Sequence, residues 1–422
     1  MTINQLFDWR IFGLALLAAG LSYVLTCLAR VVAPKLGFMD KPDGVRKVHR
    51  RPTPLMGGVA LFVAVLGAVL LCRSPALISP SGFSPSSCNL CAVLFSAGLF
   101  CLLGLADDKW TMRPRTKLLG QAVACIPFLV LGRSIETIGI FGFEIPLGSL
   151  GLLVTVLWLI TCVNVINLLD GLDGLAATVG LIAAVALALL SLVGGRVEVA
   201  ILAVVLAGSL CGFLLHNWPP AKIFLGDSGS MTIGLLIGAM SIDASLKTST
   251  AFMMLPLVAL LSIPIFDATV AVLRRRLDGK GVGAPDREHI HHQLRARGLT
   301  ELKTLLLISC LCLFSATASA VSIYLRSDLI ALTVCGIIVG TLLAGRLFGH
   351  RELGRLLHRL QSVATGAVVA EKQEAAPVVR FDGAFHGRQK RSALAAREQA
   401  AEDKHASVLS GPPPHERRRK AA

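Results

Sequence analysis

The chain has 422 residues, 54% of them hydrophobic, with a mean hydropathy of +0.70 and a formal net charge of +15. That composition excludes a soluble globular domain and describes a polytopic membrane protein. No zinc finger, aromatic-studded basic strand or helix-turn-helix pattern accompanies the charge, so it points to anionic lipid head groups and an anionic substrate, with no nucleic acid as partner.

Against a requirement of about 20 residues per crossing, the apolar runs 11–32, 55–71, 90–106, 118–131, 147–163, 175–193, 197–215, 230–242, 252–273, 305–325 and 329–348 qualify as spans. The eighth is the shortest. Lysine and arginine crowd alternate loops: Lys35 to Arg51, Lys109 to Lys117, Lys222, and Arg274 to Lys303. The opposite loops hold only Arg73, Arg133, Arg196, Lys247 and Arg326. By the positive-inside rule the expected fold is an all-α polytopic membrane protein of about eleven transmembrane helices, N-terminus outside and C-terminus inside. No cleavable leader is expected, since the first run is long enough to remain as a helix. Residues 1–350 form the expected membrane domain, and 351–422 a basic cytoplasmic tail, largely disordered.

The first inner loop, residues 37–58, is broken by Pro42, Gly44, Pro52 and Pro54. It ends in Gly57 and Gly58, where backbone can approach a ligand or another helix. The third span runs into Asp107 and Asp108, adjacent carboxylates that repel one another unless a cation compensates. They suit a base or a metal-bound phosphate, or else form an ordinary interfacial pair neutralised by Lys109 and Arg113. Lys117 opens the next helix, its ammonium free to point back at an anion. Residues 135–146 alternate loosely around glycines, a weak hairpin signal.

The fifth span breaks into NVINLLDGLDGL, residues 164–175. Asn164, Asn167, Asp170 and Asp173 recur every three residues, so a continuing helix would line one edge with two carboxamides and two carboxylates. Such a row of oxygen donors suits a hard cation and the phosphates it carries. Helix capping accounts for one or two of the four. After the seventh span, Asp227 sits among Gly226, Ser228 and Gly229, an N-cap in isolation but one of several acids sharing the inner side. The ninth span carries Asp267 in its apolar inner half.

A glycine-rich connector then leads to APDREHIHHQLRARG. Asp286 can cap a short helix ended by Gly298, with His289, His292 and Arg295 on one face and His291 off that stripe. Ile290 and Leu294 form a second face that could rest on the membrane. The spacing is not that of a zinc site, and imidazoles beside guanidiniums, Arg287 included, suit phosphate or sugar hydroxyls. Leu353, Leu356, Leu357 and Leu360 recur at helical spacing near the start of the tail. Cys88 and Cys91 form a CxxC without the context of a zinc or thioredoxin site.

In this order the motifs resemble the polyprenyl-phosphate N-acetylhexosamine-1-phosphate transferase family, the MraY/WecA-like glycosyltransferase family 4. The resemblance covers blocks between Gly37 and Leu299. It implies a multi-pass enzyme of the bacterial inner membrane with a cytoplasm-facing site. Such an enzyme moves a sugar-1-phosphate from a UDP-N-acetylhexosamine to polyprenyl phosphate and releases UMP, the first membrane step of cell-envelope polysaccharide synthesis. By position, Asp107 and Asp108 match the family's paired acids, and Asn167 and Asp227 its ligands for magnesium, for which manganese can substitute. Asp170 and Asp173 match the nucleotide and catalytic region, with Asn164 beside it, and Lys117 the phosphate-side lysine. The sequence HIHH at 289–292 resembles the WecA-type motif and departs from the three consecutive histidines of the translocase MraY. This favours N-acetylglucosamine or a related sugar, with phospho-N-acetylmuramoyl-pentapeptide transfer as the alternative. A transporter, a more remote alternative, would show charges in mid-span and related halves, of which Asp267 is the one candidate.

Overall fold

The computed structural model describes residues 9–40, 52–72, 88–131, 134–245, 252–281, 283, 286 and 288–364. It is helical almost throughout. Helix α1 (Trp9–Leu36) ends at Gly37, whose positive φ of 79° only glycine adopts cheaply. Strands β1 (Met39–Asp40) and β2 (Thr53–Pro54) pair antiparallel before α2 (Gly57–Leu71). Helix α3 (Cys88–Trp110) follows, then α4 (Pro114–Ala124) and α5 (Ile126–Val130). The expected hairpin is present as β3 (Thr137–Ile140) and β4 (Phe143–Pro146), in the register Thr137 to Pro146. The next helices are α6 (Leu150–Leu169), α7 (Leu175–Val193), α8 (Val197–Asn217) and α9 (Gly226–Ser245). Strand β5 (Phe252–Met253), parallel to β3, precedes α10 (Met254–Leu260) and α11 (Ser262–Leu277). The short α12 (Ile290–Ala296), α13 (Glu301–Leu325), α14 (Asp328–Ala344) and α15 (His350–Ala364) complete the described chain.

The two small sheets amend the all-α expectation. Among the described residues, six helices are long and apolar enough to cross a membrane: residues 10–36, α3 from Asn89, α6, α7, α8 and α13. Helices α2 and α14 are apolar but shorter. The runs expected at 118–131 and 252–273 are each divided into two helices, with Pro127 just inside α5 and Pro264 just inside α11.

The run at 230–242 is the centre of the molecule. Helix α9 has 20 residues, about 30 Å at 1.5 Å per residue, and residues Ser228 to Asp243 are all buried. Hydropathy understates it because its glycines and serines serve close packing. A Cβ on Gly234 would lie 2.5 Å from the Val163 Cα, and one on Gly238 3.1 Å from the Cys162 Cβ, so this small-residue pair seats α9 on α6. Gly208 and Gly212 do the same for α8 on α1, where a Cβ would fall 2.3 and 2.1 Å from the Ala15 and Ala19 carbonyl oxygens.

One compact unit runs from Met1 to His358, eight residues beyond the boundary expected at 350. Glu352 and Arg355 of α15 are ion-paired to Arg274 and Asp278, which draws the start of the expected tail into that unit. The remainder, Arg359–Ala422, is a second unit, described only as far as the end of α15.

Candidate active site

The N-terminus of α9 gathers the polar residues. Gly57 and Gly58 donate backbone hydrogen bonds to Phe224 and Leu225, at 3.1 and 2.9 Å, and a Cβ on Gly58 would lie 2.0 Å from the Gly229 nitrogen. The close approach expected of these glycines is to protein backbone. Gly104 of α3 packs equally tightly, a Cβ there lying 2.4 Å from the Asp227 carbonyl carbon. With α3 so close, Asp108 accepts hydrogen bonds from the Asp227 and Ser228 amides at 2.8 and 3.2 Å. A carboxylate on these amides complements the positive end of the helix.

Its neighbour Asp107 faces a different partner. Lys117, near the start of α4, sets its Nζ 2.8 Å from Asp107 Oδ2, 2.7 Å from Asp227 Oδ2 and 3.2 Å from Asn167 Oδ1. Asn167 Nδ2 donates to Asp227 Oδ1 at 2.7 Å and to the Ser230 hydroxyl at 2.8 Å, which fixes the carboxamide so that its oxygen faces the ammonium. Burial opposes the charge on Lys117, but Asp227 and Asp107 outweigh it and hold the ammonium above the ordinary lysine range.

The row of four in NVINLLDGLDGL is divided by the backbone. Helix α6 stops at Leu169, so Asp170 becomes its C-cap and only Asn164 and Asn167 lie on the helix. Asn164 pairs with the buried Gln121 of α4, donating to Oε1 at 2.8 Å. Asp173 accepts from the Ala221 amide at 2.8 Å. Asp170 remains with the acids: burial, then the charges of Asp227, Asp108 and Asp173, push its carboxyl well above the usual carboxylate range. Asn217, which the motifs do not single out, ties this turn to the loop before α9. Its Oδ1 accepts from Gly174 at 3.1 Å and its Nδ2 donates to the Ile223 carbonyl at 2.9 Å.

The histidines approach from α11 and α12. His289, not Asp286, occupies the N-cap position of α12. Asp267 supplies the capping acceptor, taking the Ile290 amide at 3.0 Å while its other oxygen lies 3.2 Å from His289 Nδ1. Asp267 is thus a buried partner of the histidine motif, not a charge exposed in mid-span. Ile290 and Leu294 are 1% exposed and face the interior, not the membrane. His291, set apart from the expected stripe, is also 1% exposed, and both its ring nitrogens lack a hydrogen-bond partner. It packs on the central motif: a Cβ on Gly171 would lie 2.6 Å from its Nε2. Burial, then the neighbouring His292, His289 and Arg295, push its pKa down to about 3, so the ring is neutral. His292 is half-buried, with its ring centroid 4.1 Å from that of His291. Arg287 lies outside the described residues.

Among the described residues no three His, Cys, Asp or Glu side chains form a group able to hold a metal ion unaided. The site instead collects oxygen donors around one ammonium and sets a neutral imidazole against the glycine turn that bears Asp170. Acids so placed can bind cations and accept protons, and the imidazoles can donate hydrogen bonds to an anion or a hydroxyl.

Comparison with known proteins bears on this arrangement. The family profile "Glycosyl transferase family 4" matches residues 90–245, from the start of α3 to the end of α9. The decaprenyl-phosphate N-acetylglucosaminephosphotransferase of Mycobacterium tuberculosis is 36% identical over 353 residues, covering 77% of this chain and 85% of the relative. Its Mycolicibacterium smegmatis counterpart is 36% identical, over 69% of this chain and 77% of its own. The undecaprenyl-phosphate alpha-N-acetylglucosaminyl 1-phosphate transferase of Haemophilus influenzae is 32% identical, over 70% and 82% respectively. Identity sustained over most of both chains, together with a profile that spans the acid cluster, means that this chain belongs to glycosyl transferase family 4, in its WecA-type branch.

Proposed function

We propose that the chain transfers N-acetylglucosamine-1-phosphate, or a related N-acetylhexosamine-1-phosphate, from a UDP-sugar to polyprenyl phosphate and releases UMP. The observation that carries this reading is the convergence of Asp107, Asp227 and Asn167 on the Lys117 ammonium beside Asp170. The names of the relatives support a polyprenyl-phosphate acceptor and an N-acetylglucosamine donor. An oxygen of the lipid phosphate attacks the sugar-linked phosphorus, and the bond from that phosphorus to the bridging oxygen breaks. The electron pair leaves on UMP.

Two anions meet in this step, and Lys117 lowers their repulsion. Neutral His291, with no protein partner for its ring nitrogens, is suited to hydrogen-bond the donor, as are His289 and His292. Asp107 or Asp170 can accept a proton from the lipid phosphate when one must leave. Asp108, committed to the α9 amides, holds the helix that presents Asp227. Asn164 and Asp173 act on the donor pocket by fixing its walls, through Gln121 and the Ala221 amide.

The donor set fits magnesium, or manganese in its place. A carboxylate oxygen of Asp227 and the carboxamide oxygen of Asn167 already turn to one cationic point, and magnesium is commonly held by one or two carboxylates plus substrate phosphates. Bound there, the metal would neutralise charge on the donor pyrophosphate. We place eleven crossings in the bacterial cytoplasmic membrane, with the α9 N-terminus facing the cytoplasm, on the distribution of lysine and arginine.

Purified protein supplied with polyprenyl phosphate, Mg²⁺ and UDP-N-acetylglucosamine should yield lipid-diphosphate-sugar and UMP, and EDTA should stop it. Formation of UDP with a lipid-monophosphate-sugar would overturn transfer at phosphorus. Turnover with only a muramoyl-pentapeptide donor would replace the sugar assignment.

A further inference from the structure

Helix α11 carries two anchors on one buried face. Asp267, Val270, Ala271, Arg274 and Leu277 follow the i, i+3, i+4, i+7, i+10 spacing of one helix face and are all buried. The first anchor, Asp267, holds His289 and the Ile290 amide. The second, Arg274, acts two turns later. Its Nη2 lies 2.6 Å from Asp286 Oδ2, and Asp286 Oδ1 accepts the Glu288 amide at 3.0 Å, one residue before His289. The segment leading into the histidine helix is therefore held at both ends by α11.

Arg274 has a further partner from a distant part of the sequence. Its Nη1 lies 2.7 Å from Glu352 Oε1, and the Glu352 side chain is 3% exposed. Glu352 sits in the first turn of α15, beyond the residues matched by the family profile. Around it, Phe348 packs edge-on against Phe266 at 5.7 Å, a Cβ on Gly349 would lie 3.2 Å from Phe266 and 3.3 Å from Val270, and Arg355 pairs with Asp278 at 2.8 Å. A guanidinium presents its donors in a rigid planar fork, so a carboxylate that fixes one prong also aims the other. Without Glu352, a buried Nη1 is left unsatisfied and Arg274 gains freedom to turn away from Asp286.

We propose that Glu352 is a positioning residue for the donor site: through Arg274 and Asp286 it sets the approach of the histidine segment, so the first turn of α15 belongs to the catalytic unit. The proposal rests on the reading of His289, His291 and His292 as the donor-binding edge. It requires an effect on the UDP-sugar and not on the lipid acceptor, because the segment that Arg274 and Asp286 hold leads into the histidines assigned to the donor.

Full-length Glu352→Ala, Glu352→Gln and Glu352→Asp are compared with wild type in detergent. Glu352→Ala should raise KM for UDP-N-acetylglucosamine about tenfold, with kcat within about threefold and KM for polyprenyl phosphate unchanged, the scale expected when a supporting partner is lost. Glu352→Gln keeps an acceptor oxygen for Nη1 and should stay close to wild type. Glu352→Asp shortens the reach and should fall between, which keeps the test decisive if the alanine variant does not fold. Tryptic cleavage after the exposed Lys280 reports on the same segment without turnover. It should be faster in Glu352→Ala and unchanged in Glu352→Gln. Unaltered KM and cleavage in folded Glu352→Ala would overturn the proposal, as would a loss confined to kcat. Absence of UMP release by wild type would instead overturn the functional reading, and cleavage would still decide the positioning role.

Discussion

Replacing Lys117 by methionine keeps the length of the side chain and removes its charge. Lys117 is 16% exposed and lies 2.8 Å from Asp107 and 2.7 Å from Asp227. Each contact is worth about 6 kcal/mol by Coulomb's law at an effective dielectric of 20, before the cost of desolvating the ions. Removing one partner of a buried pair typically costs about 3–5 kcal/mol, and the 30% exposure of Asp227 places this case near the lower end. If about 3 kcal/mol is realised in the transition state, kcat/KM falls about a hundredfold. The assay is initial UMP release at several UDP-N-acetylglucosamine concentrations, on protein shown to be monodisperse in detergent. A folded Lys117→Met enzyme within threefold of wild type would refute the coupling of the acids through this ammonium. The pH dependence has a definite sign. A lysine whose folded pKa is raised contributes fully below the unfolded value of about 10.4 and loses that contribution only as pH rises through the folded one. This group should therefore cause no decline in wild-type activity between about pH 7 and 9.

Asp227→Asn and Asn167→Ala should each abolish turnover while the protein remains folded in the membrane, with at most partial rescue by added Mg²⁺; near-normal rates would remove both residues from the proposed metal site. Gly171→Ala places a methyl 2.6 Å from His291 Nε2 and should raise KM for the UDP-sugar at least about tenfold, whereas Gly340→Ala, which meets nothing within 4 Å, should not. His291 is neutral in the fold and protonates near pH 6.5 when unfolded, so stability should rise with pH between about 3 and 6.5. Melting temperature should accordingly fall as pH is lowered from 7 to 5, and less steeply in His291→Gln. Truncation after Lys372, which retains all of α15, should leave turnover largely intact while weakening attachment to vesicles of anionic lipid.

Groups too costly to keep at membrane depth without a use could be read from the sequence: Lys117, Asn167, Asp170 and Asp227 stand out from apolar runs, and the structure brings them together. Directions of side chains could not be read in the same way. Asn164 and Asp173 share the spacing of Asn167 and Asp170, yet one lies on α6 against Gln121 and the other in a turn against Ala221, because the helix ends between them. Asp267, an anomaly within an apolar run, acquires its meaning only from His289, 22 residues away. Glu352 is separated from Arg274 by 78 residues and looks like one more charge on a polar tail. Helix α9 was hard to delimit for the opposite reason: the glycines and serines that let it sit at the centre lower the apolar signal by which spans are recognised.

If the donor is the proposed UDP-sugar, the arrangement around α9 also constrains how it enters. Asp107, Asp108, Asp170, Asp173 and Asp227 bring five carboxyl groups to this end of the bundle, and Lys117 is the ammonium among them. Asp108 is met by the α9 amides and Asp173 by a backbone amide, while Lys117 supplies one positive charge to Asp107 and Asp227 together, so the acids outnumber the cation beside them. A bare pyrophosphate would be repelled from such a surface. A cation arriving with the pyrophosphate would be attracted to it and would also relieve the repulsion from Asp227, Asp108 and Asp173 that, after burial, raises the Asp170 pKa. On the proposed reading, the acid cluster would therefore favour binding of donor and cation together over binding of the donor alone. On the same reading, the neutral imidazole of His291, set against the Gly171 turn, would add hydrogen bonding without the cost of burying another charge.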